Sequence, residues 1–255
     1  MITVKSALGI EKMRVAGGIV RDTLALMHDL VKPGVSTAYL DREAEAFIRS
    51  KGAVPSFLNY EGYPKSICVS INDQVVHGIP DERIILDGDI VSVDVGAMIN
   101  GYHGDAARTF FAGDVSDEAR RLVRITRESF FEGIKMAREG NYLSQVSAAI
   151  QAHAEGAGYS VVREMVGHGI GTEMHEDPEV PNYYERRRGR GPRLQAGMTI
   201  AVEPMINMGR KEIVLSDNGW TVSTRDGSLS AHYENTIVIT KGDPMILTMA
   251  EDEPE

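Results

Sequence analysis

The sequence predicts an α+β fold made of two related α/β halves, residues 1–112 and 113–245, packed as a single domain about a pseudo-twofold axis. Three observations carry this expectation. Apolar residues at helical spacing occur in each half, runs of alternating apolar and polar residues follow them, and a glycine-led strand bearing an acid occurs once in each half. With 255 residues, 42% hydrophobic and 25% charged, the chain has the composition of an ordinary globular protein.

Residues 10–31 place Ile10, Met13, Val15, Ile19, Leu24 and Leu26 at helical intervals, and Pro33-Gly34 ends that helix. Ser36 or Thr37 caps a second helix that runs to about Lys51, with Leu40, Ala44, Phe47 and Ile48 inward and Gly52 closing it. From residue 66 the period changes to two. SICVSIND and DGDIVSVDVGAMINGYHGDAARTFFAG alternate, and Asn100-Gly101 between alternating runs is a strong hairpin signal. Helices are expected again over 116–138 and 144–156, and strands at MTIAVEPMI, GWTVST and SAHYENTIVIT. Residues 246–255, ending AEDEPE, are expected to be an acidic tail.

Laid side by side, the halves match in order. KPGVSTAYLDREAEAFIRSKGA parallels REGNYLSQVSAAIQAHAEGAGY, VHGIP at 76–80 parallels GHGIG at 167–171, and GDIVSVD at 88–94 parallels GMTIAVE at 197–203. In the last pair a glycine leads a strand that ends in a carboxylate, Asp94 or Glu203.

Composition excludes several functions. With 27 basic and 37 acidic residues the net charge is −10, so DNA is not an expected partner. Cys68, the one cysteine, excludes a disulfide framework and a four-cysteine zinc module. The first residues lack a signal-peptide core and no run of about 18 apolar residues occurs, so the expected setting is the reducing cytoplasm, away from membranes. The run ERRRGRGPR, with Arg186, Arg187, Arg188, Arg190 and Arg193, reads either as a solvated loop or as a face toward RNA or the ribosome.

Asp94 and Glu203 sit in otherwise apolar strands, which is costly unless each acid is paired or bound to a cation. Asp105 lies eleven residues after Asp94, across the hairpin, and Glu234 is a further acid in a strand pattern, sharing its face with His232 and Thr236. Clustered acids repel one another, and divalent cations resolve that repulsion. Four carboxylates and the imidazole of His168 suit two ions such as Mn, Fe, Co or Zn.

These residues resemble those of the type I methionine aminopeptidases, which share the pita-bread fold with prolidase and aminopeptidase P. The resemblance is carried by IEKMRVAG, VKPGVST, GYPKSICVSIND, VVHGIP, DGDIVSVDVGAMINGYHGD, GHGIG, HEDP, MTIAVEPM and SAHYENTIVIT, from residue 10 to about 240. It implies a central, mostly antiparallel sheet with helices on its outer face. It also implies an enzyme that removes the initiator methionine from nascent chains when the next residue is small; a monomer is expected separately, and the sequence leaves the oligomeric state open.

Carried over to this chain, the resemblance makes Asp94, Asp105, His168, Glu203 and Glu234 the metal ligands. Asp105 and Glu234 would bridge two ions, Asp94 would hold one, and His168 with Glu203 the other. His77 and His175 would position the peptide, with His175 steadying the oxyanion, and Glu203 would carry the proton of the attacking water to the leaving amide. Tyr60, Tyr63, Cys68, Met174 and Trp220 match the methionine pocket. The sequence departs from the bacterial pattern at Met174, where phenylalanine is common, and at Phe57, where cysteine is common; a flexible Met174 implies a more adaptable pocket. Prolidase and aminopeptidase P share the five ligands but usually carry an extra domain ahead of them, and here the first ligand already falls at residue 94. The type II enzymes carry a long insertion between the ligand histidine and the next glutamate, whereas only 35 positions separate His168 from Glu203. A metal-free binding module of the same fold is the alternative of a different class, and such proteins lose ligands that this chain keeps.

Overall fold

Ser6 opens the first helix, α1 (Ala7–Leu30), by accepting a hydrogen bond from the Gly9 amide through its side chain. The helix thus starts a turn before the apolar pattern shows it. Ser36 does the same for α2 (Thr37–Ser50) by accepting from the Tyr39 amide. The chain then enters β1 (Cys68–Ile71) and the hairpin of β2 (Ile90–Ile99) and β3 (Tyr102–Phe111). Asn100 and Gly101 both have positive φ, 55° and 77°, the left-handed pair that a tight two-residue turn requires. Ser116 caps α3 (Asp117–Ile134), and α4 (Leu143–Gly156) follows. The second set of strands is β4 (Gly167–Gly169), β5 (Glu176–Val180), β6 (Thr199–Val202), β7 (Asn235–Val238) and β8 (Met245–Ile246). This computed structural model describes residues 2–249.

The two halves are built alike. β2 pairs antiparallel with β3 on one side and β1 on the other, and β6 pairs antiparallel with β7 on one side and β4 on the other. Helices α1 and α2 cover the first set through Val20, Leu24, Met27, Leu40 and Ile48, packed on Val69, Val91, Val93 and Val95. In the second set Phe130, Ile134, Val146 and Ile150 pack on Ile200, Val202 and Ile237. Full burial of each such aliphatic or aromatic side chain stabilises by about 1.5–3 kcal/mol, so these two helix-on-sheet cores carry the fold. The sets join where β3 meets β7: the Glu234 amide donates to the Ala107 carbonyl at 3.0 Å, and the Ala107 amide donates back at 3.4 Å. The result is the expected pita-bread arrangement, with its sheet divided into a four-stranded ladder, a five-stranded ladder and two three-stranded ones among the described residues.

Three sequence expectations change. Topologically, β4 with His168 takes the place of β1, not of VHGIP; the Val69 amide of β1 donates to the Gly78 carbonyl, which puts His77 one strand further out. Asp94 lies inside β2 rather than at its end, while Glu203 follows directly after β6. The tail expected over 246–255 starts later. Met245 and Ile246 pair with Val238 and Ile237, and Leu247 and Thr248 are buried. The reason is tertiary: the Leu247 carbonyl sits 2.3 Å from where a Cβ on Gly17 of α1 would stand. Residues 250–255 of that tail lie outside the described residues.

The same helix lies directly on β3. A Cβ at Gly104 would stand 2.8 Å from the Gly17 amide nitrogen and 3.0 Å from its Cα, too close for either backbone to keep its place. Gly104→Ala is expected to cost about 1–3 kcal/mol by overpacking, read as a lower urea midpoint. Gly156→Ala in α4, where the added methyl would meet nothing within 4 Å, is the matched control and is expected to keep or raise the midpoint. Equal midpoints for the two variants would contradict this packing.

Candidate active site

Antiparallel register sets the first two acids side by side. Asp94 pairs with Ala107 and Asp105 with Gly96, so the two are diagonal neighbours on one face of the β2–β3 ladder. In the other half Val202 pairs with Asn235, and the next residues, Glu203 and Glu234, continue that pairing off the end of the ladder. Because β3 abuts β7, the two carboxylate pairs converge on the junction. His168, on β4, completes the group: its Nε2 lies 3.6 Å from Asp105 Oδ2 and 3.8 Å from Glu203 Oε1. Its Nδ1 lies 2.8 Å from the Gly169 carbonyl, which can accept only from a protonated Nδ1, so in the neutral ring Nε2 faces the acids with its lone pair. The Asn182 amide donates to the Glu203 carbonyl at 2.9 Å and anchors that residue's backbone.

The electrostatics of this cluster are unfavourable as it stands. Asp105 and Glu234 are 3% and 1% exposed. Asp94 Oδ1, Asp105 Oδ1 and Glu234 Oε1 are buried without a hydrogen-bond partner. Burial first, then the charges of Asp105 and Glu203, push the Asp94 carboxyl well above its ordinary range. Burial and the neighbouring acids push Glu234 up in the same way. Burial also raises Asp105, against the neighbouring His168, which draws it down. For His168 burial opposes the charged form, but the neighbouring Asp105 and Glu203 carboxylates outweigh it and the imidazole is raised.

A cleft of about 150 Å³ opens over the acids. Every pocket residue expected from the sequence lines it: Tyr60, Tyr63, Cys68, Met174 and Trp220, together with His77 and His175. Phe57 and Glu61 line it too. Phe57, Tyr63, Cys68 and Met174 belong to one buried apolar cluster, with Tyr60 and Trp220 packed against it. Cys68 pairs with Asp94 across the β1–β2 ladder, so this apolar wall adjoins the acids. Phe57 is seated against Gly96, where a Cβ would stand 2.7 Å from its ring, and no larger residue fits there.

The two cleft histidines are mounted differently. His175 Nδ1 lies 2.7 Å from the Tyr60 hydroxyl, and its ring packs on His168 at 4.2 Å between centroids. Burial of the ring in the cleft, then the neighbouring His168, pushes His175 down to about 4, so it is neutral from pH 5 to 8. Its loop is tied down by Glu176, which accepts from the Thr172 amide at 3.0 Å and the Glu173 amide at 3.3 Å and pairs with Lys5 of the N-terminal segment. His77 has φ +57°, a left-handed conformation that non-glycine residues adopt at a cost of about 1–3 kcal/mol and that concentrates at functional sites. Burial lowers its imidazole as well.

The arginine run stands apart from the cleft. Arg186–Arg188 form one 3-10 turn; Arg190 stacks over the Tyr142 ring, and Arg193 Nε donates to the Gly140 carbonyl at 2.9 Å. No helix among the described residues is long and apolar enough to cross a membrane.

Comparison with known proteins places this geometry. The model of metallopeptidase family M24 matches residues 11–241. The chain belongs to metallopeptidase family M24. It is 55% identical to a methionine aminopeptidase of Clostridium acetobutylicum over 98% of this chain and all of that protein, and 47% identical to methionine aminopeptidase 1 of Bacillus subtilis over 97% and 99%. The crystal structure of methionine aminopeptidase from Rickettsia prowazekii superposes with a TM-score of 0.95, at 44% identity, over 98% of this chain and 100% of that one. The prolidase of Pyrococcus horikoshii shares the fold alone, with a TM-score of 0.78 at 22% identity, and this chain covers 64% of it. The M24 chain is thus a metal-dependent hydrolase, and its residues fit the metal: three carboxylate oxygens, of Asp94, Asp105 and Glu234, are buried without a partner, and cations would satisfy them.

A stability prediction follows from the raised carboxyls. When an acid's folded pKa lies above its unfolded one, the folded state holds more protons, and stability falls as pH rises between the two values. Asp94, Asp105 and Glu234 all have this sign, and the raised His168 acts in the same direction. His77, His103 and His175, held below the ordinary imidazole range, act the opposite way but only up to about pH 7, so chelator-stripped protein is expected to melt at a lower temperature at pH 8.5 than at pH 7, and saturating Mn²⁺ is expected to raise the pH 8.5 value most. A metal-free melting temperature that rises over this interval would contradict the assignment.

Proposed function

We propose that this M24 enzyme is a methionine aminopeptidase that removes the initiator methionine from N-terminal methionine peptides and nascent chains when the second residue is small. The observation that carries the reading is the adjoining of two environments: an apolar, partly sulfur-lined wall suited to a thioether, and a carboxylate cluster directly beneath it. Identity of 55% to a methionine aminopeptidase, against 22% to the prolidase, supports it over the prolidase alternative.

In this reading Asp94, Asp105, His168, Glu203 and Glu234 hold two divalent ions of the Mn, Fe, Co or Zn class. When bound, the ions supply a water deprotonated near neutral pH and polarisation of the scissile carbonyl. The chain's own residues do the rest. The methionine side chain enters among Tyr60, Tyr63, Cys68, Met174 and Trp220, which fixes the first peptide bond over the acids and leaves the free α-amine beside them. Glu203, less buried than Asp105 or Glu234, accepts the proton of the attacking water and passes it to the leaving amide nitrogen. With the Tyr60 hydroxyl as donor to His175 Nδ1, the neutral ring carries its proton on Nε2 and donates it to the developing oxyanion. His77, at its strained position, binds the peptide backbone on the opposite side of the cleft, near Trp220.

Two measurements test this. Asp105→Ala is expected to lower kcat/KM on a Met-Ala-Ser peptide by more than about 100-fold and to reduce bound metal below two ions per chain; full activity in this variant would reject the reading. Because the free amine is bound at the acids, the N-acetylated peptide is expected to be inert, and its cleavage at a comparable rate would reject exopeptidase positioning.

A further inference from the structure

The reaction outlined above leaves one buried group without a task. His232 ends the strand over Ser230–His232, two residues before Glu234, where the chain passes to the next strand. It is 2% exposed, and its Nε2 has no hydrogen-bond partner. That nitrogen lies 3.6 Å from Glu203 Oε2 and 3.8 Å from Glu234 Oε2. Leaving a buried polar atom unpaired costs about 1–3 kcal/mol, so a purely structural core histidine would be hydrogen-bonded. The backbone of His232 is firmly mounted: its amide donates to Thr109 Oγ1 at 3.0 Å, and that hydroxyl donates to the His232 carbonyl at 2.9 Å. The ring is therefore pre-positioned rather than adrift.

The separations discriminate between two roles. Both are too long for a hydrogen bond. The separation from Glu234 suits two donor atoms sharing one cation, since ligand bonds of about 2.0–2.2 Å place such donors up to about 4 Å apart. The potential ligand atoms also fall into two groups, Asp94, His232 and Glu234 in one and Asp105, His168 and Glu234 in the other, with the atoms of each group within 4.8 Å of one another. Each group has two carboxylates and one imidazole, and Glu234 belongs to both.

We propose that His232 is a sixth protein ligand of the metal centre, giving the ion beside Asp94 an imidazole of its own, as His168 does for the other. This rests on the two-metal peptidase reading. Its chemical consequence is selectivity: carboxylates alone favour hard ions such as Mg or Mn, whereas an added imidazole shifts that position toward Fe, Co and Zn.

The test uses the full chain loaded with two equivalents of Co²⁺, with imidazole nitrogens per cobalt counted by X-ray absorption. About one imidazole per ion is expected, falling by half in His232→Gln, and one of the two Co²⁺ binding events in calorimetry is expected to weaken by about tenfold or more while the other holds. Half an imidazole per ion in the wild-type protein, or equal counts and affinities in the two proteins, would overturn the sixth ligand while leaving the two-metal centre intact. Failure of the wild-type chain to bind two Co²⁺ would overturn both. Should His232→Gln fail to fold by circular dichroism, the wild-type count alone decides.

Discussion

Everything in this molecule is arranged around the cost of bringing carboxylates together away from water. Asp94, Asp105 and Glu234 are drawn into one junction with buried, unpartnered oxygens, and their carboxyls are pushed up by burial and by one another. A cluster of this kind is unstable unless a cation offsets the repulsion. The fold supplies what makes the arrangement possible: two sheets, each anchored by its own helix pair, forced together so closely that β3 and β7 exchange backbone hydrogen bonds at Ala107 and Glu234. Metal binding and the joining of the halves are therefore one problem. The energy stored by placing acids at the seam is recovered when the ions arrive.

The symmetry of the halves explains how the acids come in pairs. Each central strand carries or precedes an acid, and each return strand supplies its neighbour: Asp94 with Asp105 on β2 and β3, Glu203 with Glu234 around β6 and β7. The symmetry is broken above the acids, where function requires a direction. The first half provides Phe57, Tyr60, Tyr63 and Cys68 to the cleft, and the second half provides Met174, His175 and Trp220. The aminopeptidase reading needs this asymmetry, because a side-chain pocket on one side of the acids fixes which peptide bond lies over them.

Much of this was legible in the sequence because it is local. Ser36 and Ser116 announce their helices through cap chemistry, and Asn100-Gly101 announces its turn because only such residues accept paired positive φ at low cost. The acids stood out because a charge in an apolar strand is costly. What stayed hidden depends on tertiary contacts. SAHYENTIVIT reads as one strand, yet it breaks at Tyr233-Glu234, because its first part pairs with Met205–Asn207 and its second with Thr199–Val202. Leu247 reads as tail, yet it is buried against Gly17, more than 200 positions earlier in the chain. The pairing of VHGIP with GHGIG was a coincidence of composition, and the ladders separate the two segments. The tie of Lys5 to Glu176, which holds the His175 loop, has no local signal either.

The central claim is that divalent ions occupy the junction and satisfy its buried acids. The most direct measurement is an anomalous difference map from a crystal of the chain grown with Mn²⁺. The account predicts two peaks about 3.5–4 Å apart, each within bonding distance of oxygens from Asp94, Asp105, Glu203 or Glu234. A junction without anomalous density, its carboxyls hydrogen-bonded to one another in protonated form at saturating Mn²⁺, would contradict it.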